Sequence, residues 1–195
     1  MQNSIYTKWG LFLCYLFCFQ GYNYAQTLDW VGSIEDPTHN VESNAVIEDA
    51  ASDIYVVGRF RETADFDLGA GVFSRSSSSN YDGFIAKYDL NGTFIWAMNI
   101  GATTTGVSEN TIAHDIAVDA LGNIIVVGEY RGLNVDFAPR GGNATLLSST
   151  NSGAVLDGFI AKYNALGQCI WAIGLGSNSN SDELLGVDVA AANNI

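Results

Sequence analysis

Residues 82–97, DGFIAKYDLNGTFIWA, return almost unchanged at 157–172 as DGFIAKYNALGQCIWA. The offset is the same at the leading Asp (157 − 82 = 75) and at the closing Trp (171 − 96 = 75), so the copies stay in register through strand, turn and strand. An internal period of this length marks an array of supersecondary units, none of which can bury its apolar faces alone. A second block repeats upstream, DAASDIYVVGRF at 49–60 and DALGNIIVVGEY at 119–130. A third trace is the tryptophan strand, LDWVGSI around Trp30, FIWAMNI around Trp96 and CIWAIGL around Trp171. The final GVDVAAANNI, residues 186–195, aligns with the segment that ends at Asn123-Ile124.

These repeats read as strands. Gly is abundant at 21 residues, Pro is scarce at 2, and β-branched and aromatic residues fill the repeated blocks, which favours short strands and turns over helices. The expected fold class is all-β. One unit is predicted over about 45–100, with strands near 45–49, 53–61, 83–89 and 93–100. The next covers about 112–175, with strands near 112–119, 123–131, 158–164 and 168–175. A lone strand is expected at 28–34 and a partial unit at 185–195. Ile54, Val56 and Phe60 point one way while Tyr55 and Val57 point the other, so both faces of a unit must be covered. Cys169, in the place of Phe94, is expected on the side of Trp171 and Ile173 as a small buried filler.

The turns Asp89–Gly92 and Asn164–Gly167 are tight, as are 49–53 and 119–123. The connections 62–82, 132–157 and 101–111 are long, and in an antiparallel meander they leave from the opposite edge. Binding residues concentrate on loops held by a rigid scaffold, so that long-loop face is where function is expected.

Residues 1–25 stand apart from the repeats. Lys8 precedes the apolar run Gly10 to Phe19, and Ala25-Gln26 offers a cleavage point, the order of a secretory signal peptide too short to span a bilayer. The expected mature chain, 26–195, is exported, secreted or held at the cell surface, and does not span a membrane. It keeps 7 basic and 21 acidic residues, a formal charge of 7 − 21 = −14. That balance argues against nucleic acid as a partner, because binding there depends on Lys and Arg neutralising phosphates. Of three cysteines only Cys169 remains, so no internal disulfide is expected.

The succession AVDALGNIIVVGEY, a loop containing Asp-Phe (VDFAPRGG or DFDLGAGVF), then DGFIAKYNALGQCIWA resembles the bacterial SBBP family of β-propeller repeats, over nearly all of 28–195. The resemblance implies β-propeller blades of four antiparallel strands: two complete blades at about 45–100 and 112–175, with partial ones at either side. A closed propeller takes ~4–8 blades, so an incomplete propeller, part of a longer protein, is expected. It also implies a secreted or cell-surface bacterial protein and carries no catalytic motif. The function expected is a non-catalytic binding, interaction or adhesion scaffold whose partner is an extracellular protein or glycan. The alternative is the propeller portion of an extracellular carbohydrate-active hydrolase or lyase whose active site lies elsewhere.

The residues offer little chemistry of their own. The only histidines, His39 and His114, are read as lying in different loops, and no HExxH, CxxC, GxSxG or phosphate loop is present. No cofactor is expected. Asp65-Phe66-Asp67 alternates oxygen ligands in the manner of a calcium loop, and Asp136 is the one acid its sister copy keeps. The competing reading makes Asp65 and Asp136 Asx-turn formers that let the following Phe plug the unit. Asp82 and Asp157 are likewise read as turn formers, and Trp30, Trp96 and Trp171 as packing between units rather than exposed stacking platforms.

Overall fold

The structure is a computed structural model, which describes residues 30–34, 41–103, 106–143, 145–150 and 154–190. Residues 1–25, expected to be a signal peptide, and His39 lie outside the described residues. The chain is all-β. Its strands are β1 (Val41–Glu48), β2 (Ile54–Phe60), β3 (Thr63–Asp65), β4 (Ser74–Ser76), β5 (Ser79–Tyr88), β6 (Phe94–Ala102), β7 (Gly106–Val118), β8 (Ile124–Arg131), β9 (Val135–Asp136), β10 (Leu146–Leu147), β11 (Asp157–Tyr163) and β12 (Cys169–Leu175).

The repeat in sequence is a repeat in hydrogen bonding. β1, β2, β5 and β6 form one antiparallel meander, and β7, β8, β11 and β12 form a second. Gly58 faces Phe84 across β2 and β5, as Gly128 faces Phe159 across β8 and β11. A parallel pairing of β5 with β7 and an antiparallel pairing of β6 with β9 join the two into one ten-stranded, nearly closed, barrel-like sheet. The turns Asp89–Gly92 and Asn164–Gly167 close with Gly92 and Gly167 at φ of 78° and 77°, which glycine adopts without a Cβ clash.

Each meander has two apolar faces, and they are used differently. One face of the first meander buries Phe60, Phe84, Ala86 and Tyr88 around Phe66. The equivalent residues of the second, Tyr130, Phe159, Ala161 and Tyr163 around Phe137, are packed instead against the opposite face of the first, against Tyr55, Val57, Ile85 and Met98. Unlike faces therefore meet, which is head-to-tail stacking. The edge-to-face and tilted ring contacts recur with it: Phe66 to Phe84 at 5.1 Å and Phe137 to Phe159 at 4.9 Å between centroids.

Tryptophan ties one unit to the next. Trp96, on β6, donates its indole N–H to the Ala165 carbonyl in the last turn of the second meander at 3.3 Å, with its ring against Gly167. Trp30 donates to the Leu90 carbonyl at 2.9 Å, with its ring against Gly92. Leu90 and Ala165 occupy the same repeat position. Trp30 does this without belonging to a strand: residues 30–34, expected as one, run in irregular backbone. Residues 185–190, expected to open a further unit, also form no ladder, although Val187 N–H bonds Asp115 Oδ2 at 2.9 Å.

One side-chain direction differs from simple alternation. The register slips between Lys162 and Tyr163, so that Lys162 faces Trp171 while Tyr163 faces Cys169, and one residue is extra on β12. A bulge of this kind puts Cys169 and Trp171 on opposite faces. Cys169 is buried in the shared core beside Tyr163, not on the side of Trp171 and Ile173. β5 and β6 carry the same bulge, which separates Phe94 from Trp96.

Candidate functional site

The long connections begin at one edge of the meanders and are pinned there by two buried aspartates in equivalent positions. Asp82, fully buried, accepts hydrogen bonds from Ser78 N–H at 3.2 Å and Asn99 Nδ2 at 2.8 Å. Asp157 accepts from Thr150 N–H at 2.8 Å. The Ser78 hydroxyl lies 2.6 Å from the Ala102 carbonyl, and the Thr150 hydroxyl lies 2.6 Å from that of Ser177. An acid on the third strand thus fixes a hydroxyl on the loop to the end of the fourth strand in both units. The loop bases there are rich in small hydrogen-bonding residues: Ser74 to Asn80, Ser148 to Thr150 and Ser177 to Ser181.

From that edge the loops do not project outward. They fold back along the sheet toward the tight-turn edge, because the Phe of each loop is pulled into the core. Phe66 and Phe137 are fully buried, and Tyr88 donates its hydroxyl to the Phe66 carbonyl at 3.0 Å. Burying a Phe side chain contributes roughly 1.5–3 kcal/mol, which outweighs extending a short polar loop into water. Short hairpins, β3 with β4 and β9 with β10, stiffen the returning loops. The tip of the first loop reaches the tight turn, where Trp30, Leu68, Asn91 and Phe94 line a cleft of ≈290 Å³. Among the described residues the variable length is therefore shared between both edges, with the loop bases on the expected face.

Asp65, Asp67 and Asp136 sit at these returning hairpins. Asp65 Oδ1 accepts from Asp67 N–H at 3.0 Å and Phe73 N–H at 2.7 Å, Asp67 Oδ1 from Gly69 N–H at 2.9 Å, and Asp136 Oδ1 from Ala138 N–H at 2.8 Å. These are Asx turns, each committing an oxygen to backbone amide. The three acids are not gathered into one group.

A different set is gathered. Among the described residues one cluster of three His, Cys, Asp or Glu side chains has its ligand atoms within 4.8 Å of one another: His114, Glu129 and Glu183. His114 lies in strand β7, not in a loop, at the bulge between Ala113 and Asp115. Glu129 is on the neighbouring β8 and only 9% exposed. Glu183 is held from both sides, by Asp182 N–H on the Leu156 carbonyl at 2.8 Å and Leu184 N–H on the Gly128 carbonyl at 3.3 Å. Burial pushes the Glu129 carboxyl above its ordinary range; His114 opposes that, and the Glu183 carboxylate adds to it. Separations of 15 and 54 residues between the three hide the cluster from any motif, and only the strand register and bulge bring it together.

No family model matches the chain, and no curated protein matches it. No helix among the described residues is long and apolar enough to cross a membrane.

Proposed function

We propose that this chain is the repeat region of a secreted or cell-surface β-propeller-type protein and serves as a non-catalytic binding scaffold for an extracellular glycan or protein. Each antiparallel meander is then a four-stranded blade. Support for the architecture comes from the stacking of unlike faces and from the tryptophan clasp, since an identical contact from unit to unit generates a rotary array. The observation that carries the function is the loop edge. Buried Asp82 and Asp157 hold equivalent loop bases rigidly, while hydroxyl- and amide-bearing residues of differing sequence surround them. Preorganised small polar groups suit a polyhydroxyl or peptide partner, because little side-chain entropy is lost on binding.

The test is a screen of the full chain against arrays of extracellular glycans and proteins, repeated with Ser179→Tyr and Asn180→Tyr at the loop edge and with Leu121→Tyr at the tight-turn edge. All three positions are exposed. Binding lost in the first two and kept in the third is expected. Binding abolished only by Leu121→Tyr, or no binding on either array, would overturn the reading. The export part predicts cleavage after Ala25, read by mass spectrometry of the N-terminus in a secreting host.

A further inference from the structure

The two units differ in chemistry at one repeated place, and the difference is a missing positive charge. In the first unit the bulged residue of β1 is Asn44, whose amide donates to the Ala113 carbonyl at 2.8 Å. On the next strand Arg59 meets Glu42 through two hydrogen bonds, both 2.9 Å. That corner is satisfied and electrically closed. In the second unit the bulged residue is His114, and Arg59 is replaced by Glu129. The place of Glu42, across from that residue, is taken by the uncharged Ile112, and a second carboxylate reaches the corner from the segment after β12 as Glu183.

The exchange leaves a histidine and two carboxylates facing each other. His114 Nε2 is out of contact with solvent and has no hydrogen-bond partner. Its nearest carboxylate oxygen, Glu129 Oε2, is 4.0 Å away, too far for a hydrogen bond. Arg59 is already engaged by Glu42 and stacked 4.5 Å over the Tyr81 ring. A buried imidazole nitrogen with no hydrogen bond, 4.0 Å from one carboxylate and close to a second, with the neighbouring Arg59 committed to Glu42, leaves room for a positive centre.

We infer that His114, Glu129 and Glu183 form a binding site for a divalent transition metal of the zinc type. One imidazole and two carboxylates are a borderline donor set, which suits zinc, whereas calcium takes six to eight oxygens and gains little from imidazole. Bonds of about 2.0–2.2 Å in tetrahedral geometry need donors roughly 3.4 Å apart. The atoms lie within 4.8 Å of one another, so closing the set on an ion requires each pair to approach by no more than about 1.4 Å. Glu183 is exposed, so the remaining coordination position faces water. Hydrogen bonds to Asp182 and Leu184 hold the third ligand against the second unit. The ion would thereby fasten the segment after β12 to strands β7 and β8.

The experiment is isothermal titration of the metal-free full chain with zinc chloride, then with calcium chloride, alongside the visible spectrum on adding cobalt(II). One equivalent of zinc bound with a micromolar or tighter Kd, a cobalt spectrum of low coordination number and no comparable calcium binding are expected. His114→Asn, which installs the first unit's residue, and Glu129→Gln should each weaken zinc binding at least tenfold, while His39→Asn leaves it unchanged. If either buried substitution impairs folding, Glu183→Gln at the exposed ligand decides, with the same tenfold loss expected. The inference is overturned by zinc binding that survives Glu183→Gln, by equal affinity for calcium, or by no zinc binding at up to a hundred micromolar.

Discussion

Lys162→Met removes one half of a buried ion pair and leaves the other half stranded. Lys162 Nζ lies 2.7 Å from Asp119 Oδ2, and the side chains are 16% and 1% exposed. Asp119 also accepts from Leu121 N–H, Asn123 N–H and Asn123 Nδ2, each at 2.9 Å, which closes the turn between β7 and β8. Breaking such a pair by deleting one partner costs about 3–5 kcal/mol. Because three hydrogen bonds to Asp119 survive, we expect the lower end, about 3 kcal/mol. At about 2–4 °C per kcal/mol for a domain of this size, Tm should fall by about 6–12 °C. Burial pushes the Asp119 carboxyl up, but the Lys162 ammonium and the Asn123 and Leu121 donors prevail and hold it well below the usual carboxylate range. A folded-state pKa depressed in this way adds stability that is present above the unfolded value near ~3.9 and is lost as the pH falls. Lys162→Met should flatten that acid limb. Urea unfolding at neutral and acid pH measures both effects. Lys162→Met/Asp119→Asn should recover much of the loss, since no uncompensated charge then remains. A single variant within 1 kcal/mol of the wild type, or a double variant no better than the single, would refute the reasoning.

Other outcomes follow from the same geometry. Gly176→Ala would place a Cβ 2.1 Å from the carboxyl carbon of Asp157, so stability to denaturant should drop by about 1–3 kcal/mol through overpacking. Trp96→Ala should cost about 3–5 kcal/mol by thermal unfolding; Trp171→Ala, at the same repeat position but only partly buried, should cost less than half of that. Burial, with a smaller push from Asp157, raises the Tyr130 phenol to about 12. The unfolded chain ionises this group first, near ~10, so stability should decline between about pH 10 and 12. Tyr130→Phe should reduce that decline in unfolding curves measured across this range.

Much of the backbone is visible in the sequence because the repeat is written in residues that act locally. The Gly-ended turns, the strands of Trp96 and Trp171 and the two-sided apolar alternation at Ile54 to Phe60 each fix a strand or a turn without long-range information. What alternation cannot reveal is a residue that breaks it. The bulges at Asn44 and His114, and those that separate Phe94 from Trp96 and Cys169 from Trp171, move side chains across the sheet at the cost of one unpaired residue. The fold-back of the long loops is likewise decided by distant burial of Phe66 and Phe137 and not by loop composition. Of the candidate site, Asp65 and Asp136 form the Asx turns that the sequence suggested as the alternative to a calcium loop, and Asp67 likewise bonds a backbone amide. The His114, Glu129 and Glu183 group depends on pairing across strands and on a segment beyond β12, so its members carry no mutual spacing to notice.

Head-to-tail stacking of equivalent units is the central structural claim, and proton NMR of the tryptophan indoles tests it most directly. If consecutive units are clasped as described, the Trp96 indole N–H will show nuclear Overhauser contacts to Ala165 and Gly167 of the second unit. The Trp30 indole N–H will show the matching contacts to Leu90 and Gly92 of the first. A Trp96 indole in contact only with residues of its own meander, or one exchanging freely with water, would contradict the account.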